Sequence, residues 1–139
     1  MLDYALMLED GNDIPVNKKE ASKYFKMGAD SGSKECMFNY ALMLINDDGI
    51  PVDKKEAAKY YKMGADAGYY KCIFNYGKML QKGDGIPVDK KESAKYFKMG
   101  ADKGDVISIY NYALSLENGN GVHHYYSIIF VILKYIKIN

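Results

Sequence analysis

The chain has 139 residues, enough for one small folded domain. Its hydrophobic content of 48% argues against intrinsic disorder, and its formal net charge of +1 argues against nucleic acid as its main partner, because that role usually demands a basic face. Its two cysteines exclude a disulfide framework and favour a reducing compartment, which predicts a cytoplasmic location.

The sequence repeats with a period of 36 residues. Pro15, Pro51 and Pro87 are separated by that interval, and residues 39–74 are identical to residues 75–110 at about two-thirds of positions. A period of ~20–50 residues is typical of solenoids, propellers or arrays. Each repeat shows helical spacing of its apolar residues and no strand alternation. The sequence therefore predicts stacked antiparallel helix pairs.

Taken in chain order, the sequence begins inside a helix of the first type, helix A, near Leu2. Helices of the second type, helix B, alternate with further helices A after it. The predicted helices B are 18–30, 54–66 and 90–102, and the predicted helices A are 33–45, 69–81 and 105–117.

Each helix B carries signals for its start and its end. Asn17, Asp53 and Asp89 can cap the first turn, and a glutamate three residues later can reach back. Gly32, Gly68 and Gly104 are placed to end the same helices. Small residues such as Gly64 and Ala65 allow close approach of neighbouring helices, and tyrosines and methionines fill the gaps between them.

The repeat resembles the Sel-one-like repeat (SLR) family, a branch of the TPR-like superfamily. The resemblance rests on the segment Asn39–Leu44, the glycine loop Asp48–Asp53 and the helix Ala57–Gly68, and it covers about residues 2–122. It implies an all-α, right-handed α-solenoid with helix A lining a concave surface. It also implies a non-catalytic scaffold or adaptor that needs no cofactor and binds a protein or peptide partner.

The sequence departs from the family at residues 123–139, which we treat as an atypical C-terminal tail. His123 and His124 stand where the repeat has Pro and Val, and an apolar run of high β-propensity replaces the last helix B. We expect this tail to act as a makeshift cap on the last helix pair. An alternative function follows from it, a membrane-peripheral regulator anchored by the tail, although a membrane contact is not the favoured interpretation.

Other chemistry is poorly supported. Cys36 and Cys72 occupy equivalent positions of successive helices A, too far apart for a disulfide, and we expect buried thiols. No cysteine or carboxylate cluster accompanies His123 and His124 in the sequence, so a zinc site is not indicated. The Asp-Gly loops lack the glutamate of a calcium loop. An enzyme related to cysteine-rich repeat proteins would need paired cysteines, which are missing.

The concave face carries the candidate binding site. If helix A aligns with its TPR counterpart, Phe38, Phe74 and Tyr110 form an aromatic column beside a basic region. Alternatively, these rings belong to the core. An aromatic and basic groove suits an extended peptide or a helix with acidic character. The predicted partner-binding residues are Glu35, Phe38, Leu42, Lys71, Phe74, Lys78, Lys82, Tyr110 and Leu114. The lysine pairs that begin each helix B, such as Lys90-Lys91, are interpreted as solvated.

Overall fold

The computed structural model describes residues 1–11, 14–120 and 132–134. These residues contain no strand, and residues 132–134 are helical. In chain order the seven longer helices of this part of the chain are α1 (Leu2–Asp10), α2 (Lys18–Asp30), α3 (Lys34–Asn46), α4 (Lys54–Asp66), α5 (Tyr70–Lys82), α6 (Lys90–Asp102) and α7 (Val106–Asn120).

The predicted all-helical repeat fold is confirmed. The predicted helices B match α2, α4 and α6 at both ends. The helices α3, α5 and α7 each begin one residue later than predicted. At α3 the reason is that Ser33 caps the helix from outside it by accepting the backbone N–H of Cys36. The last helix A, α7, continues to Asn120 instead of ending near residue 117.

Each helix A folds back onto the following helix B as an antiparallel pair. Near the connecting loop, the backbone N–H of Asp53 donates to the carbonyl oxygen of Leu44 at 2.9 Å. Further from it, the rings of Tyr40 and Tyr60 pack edge to face with centroids 4.8 Å apart. The first and third repeats have the same two contacts, between the residues that lie 36 positions away.

The predicted N-caps are confirmed, but the glutamate part of the capping box is not formed. The side chains of Asn17, Asp53 and Asp89 accept the backbone N–H of the residue three positions on. The backbone N–H groups of these caps instead donate to carbonyl oxygens of the preceding helix A. The glutamates therefore have no cap N–H to bind. Each cap residue joins two helices, because its N–H donates to the preceding helix A and its side chain accepts from helix B.

Glycines end the helices B as predicted. Gly68 has a φ of 83°, a left-handed conformation that a residue with a Cβ adopts at a cost. The N–H of Tyr69 then donates to the carbonyl oxygen of Gly64 at 2.9 Å, which closes a Schellman motif. The same arrangement occurs after α2 and α6.

Successive helix pairs approach closely at a second set of glycines. A Cβ added at Gly64 would overlap the side chain of Cys72, and one at Gly28 would overlap Cys36. At the equivalent position of the third repeat, a Cβ at Gly100 would lie 2.6 Å from the Cβ of Ser108. Each helix B therefore meets the next helix A at a glycine facing a small residue, as the sequence predicts.

The chain divides into two compact units, an N-terminal unit of residues 1–72 and a C-terminal unit of residues 73–139, with the boundary inside α5. Phe25, Tyr60 and Tyr61 are nearly inaccessible to solvent in the N-terminal unit, and Ile73 and Phe97 are so in the C-terminal unit. Both cysteines are buried and unbridged, as predicted.

Among the described residues, no helix combines the length and apolar character required to cross a membrane. The predicted tail, residues 123–139, lies outside the described part of the chain except for residues 132–134. Its capping role and its membrane alternative therefore stay predictions.

Candidate functional site

In the N-terminal unit, two of the predicted binding residues, Phe38 and Lys71, are in contact. Phe38 projects from α3, is half-buried, and packs on the buried Tyr61 of α4 with centroids 6.0 Å apart. The ammonium group of Lys71 lies 5.3 Å from the centroid of the Phe38 ring, within range of a cation–π interaction. The exposed Glu35 lies one turn before Phe38 on α3.

The electrostatics of this region follow from burial. Desolvation raises the pKa of the Cys72 thiol to about 12, and the Glu35 carboxylate adds to the shift. Burial also raises the pKa of Tyr69, again with Glu35 contributing. Cys72 therefore stays protonated at neutral pH, and a thiolate nucleophile is not available at this position.

In the C-terminal unit, a cleft of about 870 Å³ lies among α5, α6 and α7. We call it the lysine cleft. Lys78 and Gln81 line it from α5, Lys90 and Lys91 from the first turn of α6, and Leu114 and Asn118 from α7. Ala94 and Ser115 complete the described lining. The cleft therefore combines three ammonium groups with neutral polar groups and a small apolar wall.

Lys78 is held in place at the edge of the cleft. Its ammonium group donates to the side-chain oxygen of Gln81 at 3.4 Å and lies 5.8 Å from the centroid of the Phe74 ring. Phe74 and Leu114 are both half-buried, so part of each apolar side chain stays accessible to a ligand.

The predicted binding residues thus fall into separate groups. Phe38 and Lys71 meet in the N-terminal unit, near Glu35, and Lys78 joins Phe74 and Leu114 in the C-terminal unit. Lys82 is exposed at the end of α5, and Tyr110 of α7 exposes 59% of its surface. Neither of these two residues is among the described residues of the lysine cleft, and Leu42 is half-buried on α3. A binding role for the nine residues stays a prediction.

Sequence reasoning missed Lys90, Lys91 and Asn118 as residues of the candidate site. The lysine pair was interpreted as a solvated helix start, and both side chains are indeed exposed. They also line the cleft, because the first turn of α6 lies beside α5 and α7. The sequence signal that could have found them is the recurrence of a lysine pair at the start of every helix B.

The described residues do not form a recognisable metal site or an activated nucleophile. No group of three or more His, Cys, Asp or Glu side chains in this part of the chain is arranged to hold a metal ion. His123 and His124 lie outside the described residues. The described residues instead form a surface in which exposed ammonium groups lie beside partly accessible apolar side chains.

Comparison with known proteins gives a consistent assignment. Sel1 repeats match residues 1–33, 34–69 and 71–105. A Sel1 repeat protein from Oxalobacter formigenes has a similar solved structure, with a TM-score of 0.80 and 24% identity over 87% of this chain and 50% of that one. A protective antigen with an SLR fold, c5321 from uropathogenic Escherichia coli, gives a TM-score of 0.86 and 23% identity.

The match to that antigen covers 96% of this chain and 29% of the antigen, so the chain spans half or less of either solved structure. At these identities the likeness establishes the fold alone. No curated protein matches the sequence.

Proposed function

Since the chain belongs to the Sel1 repeat family, whose members are in general protein-interaction modules without catalytic activity, we propose that it binds a partner protein through the exposed faces of its helices A. The proposed ligand is a peptide or helix of the partner. In this proposal the chain is a scaffold or adaptor in the cytoplasm that needs no cofactor and is not an enzyme.

The observation that supports this proposal most strongly is the lysine cleft. The alignment of helix A with its TPR counterpart predicts Lys78 and Leu114 as binding residues, and both line the same cleft. Phe74 lies at its edge through the contact with Lys78. A surface with accessible apolar area and clustered charge has the composition expected of an interaction site.

The energetics favour an apolar anchor with charged surroundings. Burial of apolar area stabilises a complex by roughly 25 cal/mol per Å², before the entropic cost of association is subtracted. Phe74 and Leu114 can supply such area. The lysines contribute orientation and salt-sensitive encounter, together with a smaller share of the affinity than the apolar contacts.

Replacement of Phe74 by alanine tests the proposal. If Phe74 contacts the partner, Phe74→Ala weakens binding by about 1–3 kcal/mol and leaves the fold intact. If the ring serves the core, the free energy of unfolding falls by about 3–5 kcal/mol instead. Phe97→Ala is the matched control, because Phe97 is fully buried in the same unit and should show the core behaviour.

Both variants require a thermal denaturation curve and an affinity measurement with a peptide or partner selected on the wild-type chain. A Phe74→Ala protein that is as destabilised as Phe97→Ala, and whose folded fraction binds normally, removes Phe74 from the binding site.

A further inference from the structure

We propose that the lysine cleft binds a short acidic peptide segment, in which Asp or Glu side chains meet Lys78, Lys90 and Lys91 and an apolar side chain rests on Leu114. This inference rests on the proposed function and adds the chemistry of the ligand.

Several lysines of the helices B are neutralised within their own helix, whereas the three lysines of the cleft are not. Lys26, Lys62 and Lys98 each pair with an aspartate one turn later, at 2.8–2.9 Å. In the described part of the chain, Lys78, Lys90 and Lys91 have no carboxylate partner. Their positive charges are therefore not neutralised within the described residues, although they line the same cleft.

The repeat register explains why Lys90 lacks an acid. In the first repeat, Lys18 forms an ion pair with Asp48, thirty residues later. The residue thirty positions after Lys90 is Asn120, a neutral amide. The third repeat thus keeps the lysine and lacks the aspartate of the equivalent pair.

The location of the lysines adds to the positive potential. Lys90 and Lys91 occupy the first turn of α6, where the helix dipole already presents a partial positive charge. Lys78 brings a third ammonium group from α5. An anionic ligand is attracted to such a group of ammonium ions, and a carboxylate can accept charge-assisted hydrogen bonds from them.

The remaining lining favours a peptide over a nucleic acid. No aromatic ring is among the described lining residues, and Phe74 lies at the edge of the cleft beside Lys78, so successive bases would find no row of rings on which to stack. Gln81, Ser115 and Asn118 offer hydrogen bonds to a peptide backbone, and Leu114 and Ala94 offer apolar contact. The volume of about 870 Å³ lies within the ~300–1,000 Å³ of ordinary ligand pockets, which suits one short segment.

A displayed library of random short peptides, selected on the full chain, provides the probe. We expect the selected peptides to be enriched in Asp and Glu around an apolar residue. The tightest peptide and its amide counterpart, in which every Asp becomes Asn and every Glu becomes Gln, are then compared by fluorescence anisotropy. The acidic peptide should bind at least about tenfold more tightly.

The double variant that carries both Lys90→Gln and Lys91→Gln should weaken binding of the acidic peptide at least about tenfold. The matched control is Lys95→Gln with Lys103→Gln, which removes the same charge from exposed positions of the same unit outside the described lining. The control should stay within about twofold of the wild type, and circular dichroism should show both variants folded. Lys78→Gln provides an independent test from the α5 side.

The alternative outcomes separate the two proposals. The acidic-ligand inference is overturned if the selected peptides are not acidic. It is also overturned if they bind the cleft variant as well as the wild type. If binding nevertheless depends on Phe74, the interaction function still stands. Equal losses in the cleft variant and the control, or equal competition by a single-stranded oligonucleotide, also overturn the inference. If no peptide binds specifically to the wild-type chain, both proposals fail.

Discussion

At the scale of single residues, Tyr61 is an exception to the pairing of buried polar groups. Its ring is fully buried in the N-terminal unit, and its hydroxyl has no hydrogen-bond partner in the described structure. Burial raises the pKa of this hydroxyl well above its usual value. The residues at the same register in the neighbouring repeats are Phe25 and Phe97, which fill the space without a polar atom.

Tyr61→Phe should therefore leave the protein as stable or make it more stable, by up to about 1–2 kcal/mol, because an unsatisfied buried hydroxyl is removed. Urea denaturation measures the change. The converse change, Phe25→Tyr, should be destabilising. A clear loss of stability in Tyr61→Phe would mean that the hydroxyl has a partner.

Asp30 links two successive helices B. It accepts hydrogen bonds from Lys26, at 2.9 Å, and from the hydroxyl of Tyr60 on α4, at 2.8 Å. These hydrogen bonds hold the pKa of the Asp30 carboxyl below its usual value, and the bond from Lys26 has the largest effect. A lowered folded-state pKa stabilises the protein above the unfolded pKa, and this stabilisation is lost as the pH falls through the folded value.

We expect the wild type to be more stable than Asp30→Asn at neutral pH, by less than about 1 kcal/mol because the site is exposed. The difference should shrink as the pH falls below about 4. Tyr60→Phe, which removes one donor, should reduce the pH dependence. A difference between wild type and Asp30→Asn that is unchanged from neutral to acidic pH would contradict the assignment.

At the scale of the helix, the structure separates the two halves of the predicted capping box. Asp53 caps α4 with its side chain, while its backbone N–H is already bound to Leu44. Asp53→Ala should therefore destabilise the protein by about 1 kcal/mol. Glu56→Gln, as the comparison variant, should cost less than about 0.5 kcal/mol. Chemical denaturation of both proteins gives the ranking, and equal losses would restore the reciprocal capping box.

The contact between successive helix pairs depends on the absence of a side chain on helix B. In the C-terminal unit, a Cβ at Gly100 would lie 2.6 Å from the Cβ of Ser108 and 3.3 Å from the Cγ2 of Ile73. Gly100→Ala should cost about 1–3 kcal/mol through overpacking, although alanine is the better helix former by about 1 kcal/mol.

A second change, Ser108→Gly, should recover part of the loss of Gly100→Ala, since it removes the overlapping atoms. A double-mutant cycle measures this coupling. If Gly100→Ala instead stabilises the protein, helix propensity outweighs the close contact, and the described spacing of α6 and α7 is wrong.

At the scale of the whole molecule, the elements were predictable and the site only in part. The period of 36 residues, the caps and the terminal glycines are local signals, so the predicted ranges of α2, α4 and α6 match the structure at both ends. The direction of the Asp53 N–H and the contribution of Lys90 and Lys91 to the cleft depend on the packing of helices distant in sequence. The alignment of helix A with its TPR counterpart predicted Lys78 and Leu114, but it could not show which lysines lack acidic partners.

The central claim is that the lysine cleft, formed by two helices A and the first turn of α6, carries the binding site, and that the outer faces of the helices B do not. The most direct measurement is the change in ¹H–¹⁵N chemical shifts of the full chain on addition of the tightest selected peptide. We predict that the largest changes cluster around Lys78, Lys90 and Leu114. Changes confined to the outer positions of α2, α4 and α6, with the lysine cleft unaffected, would contradict the claim.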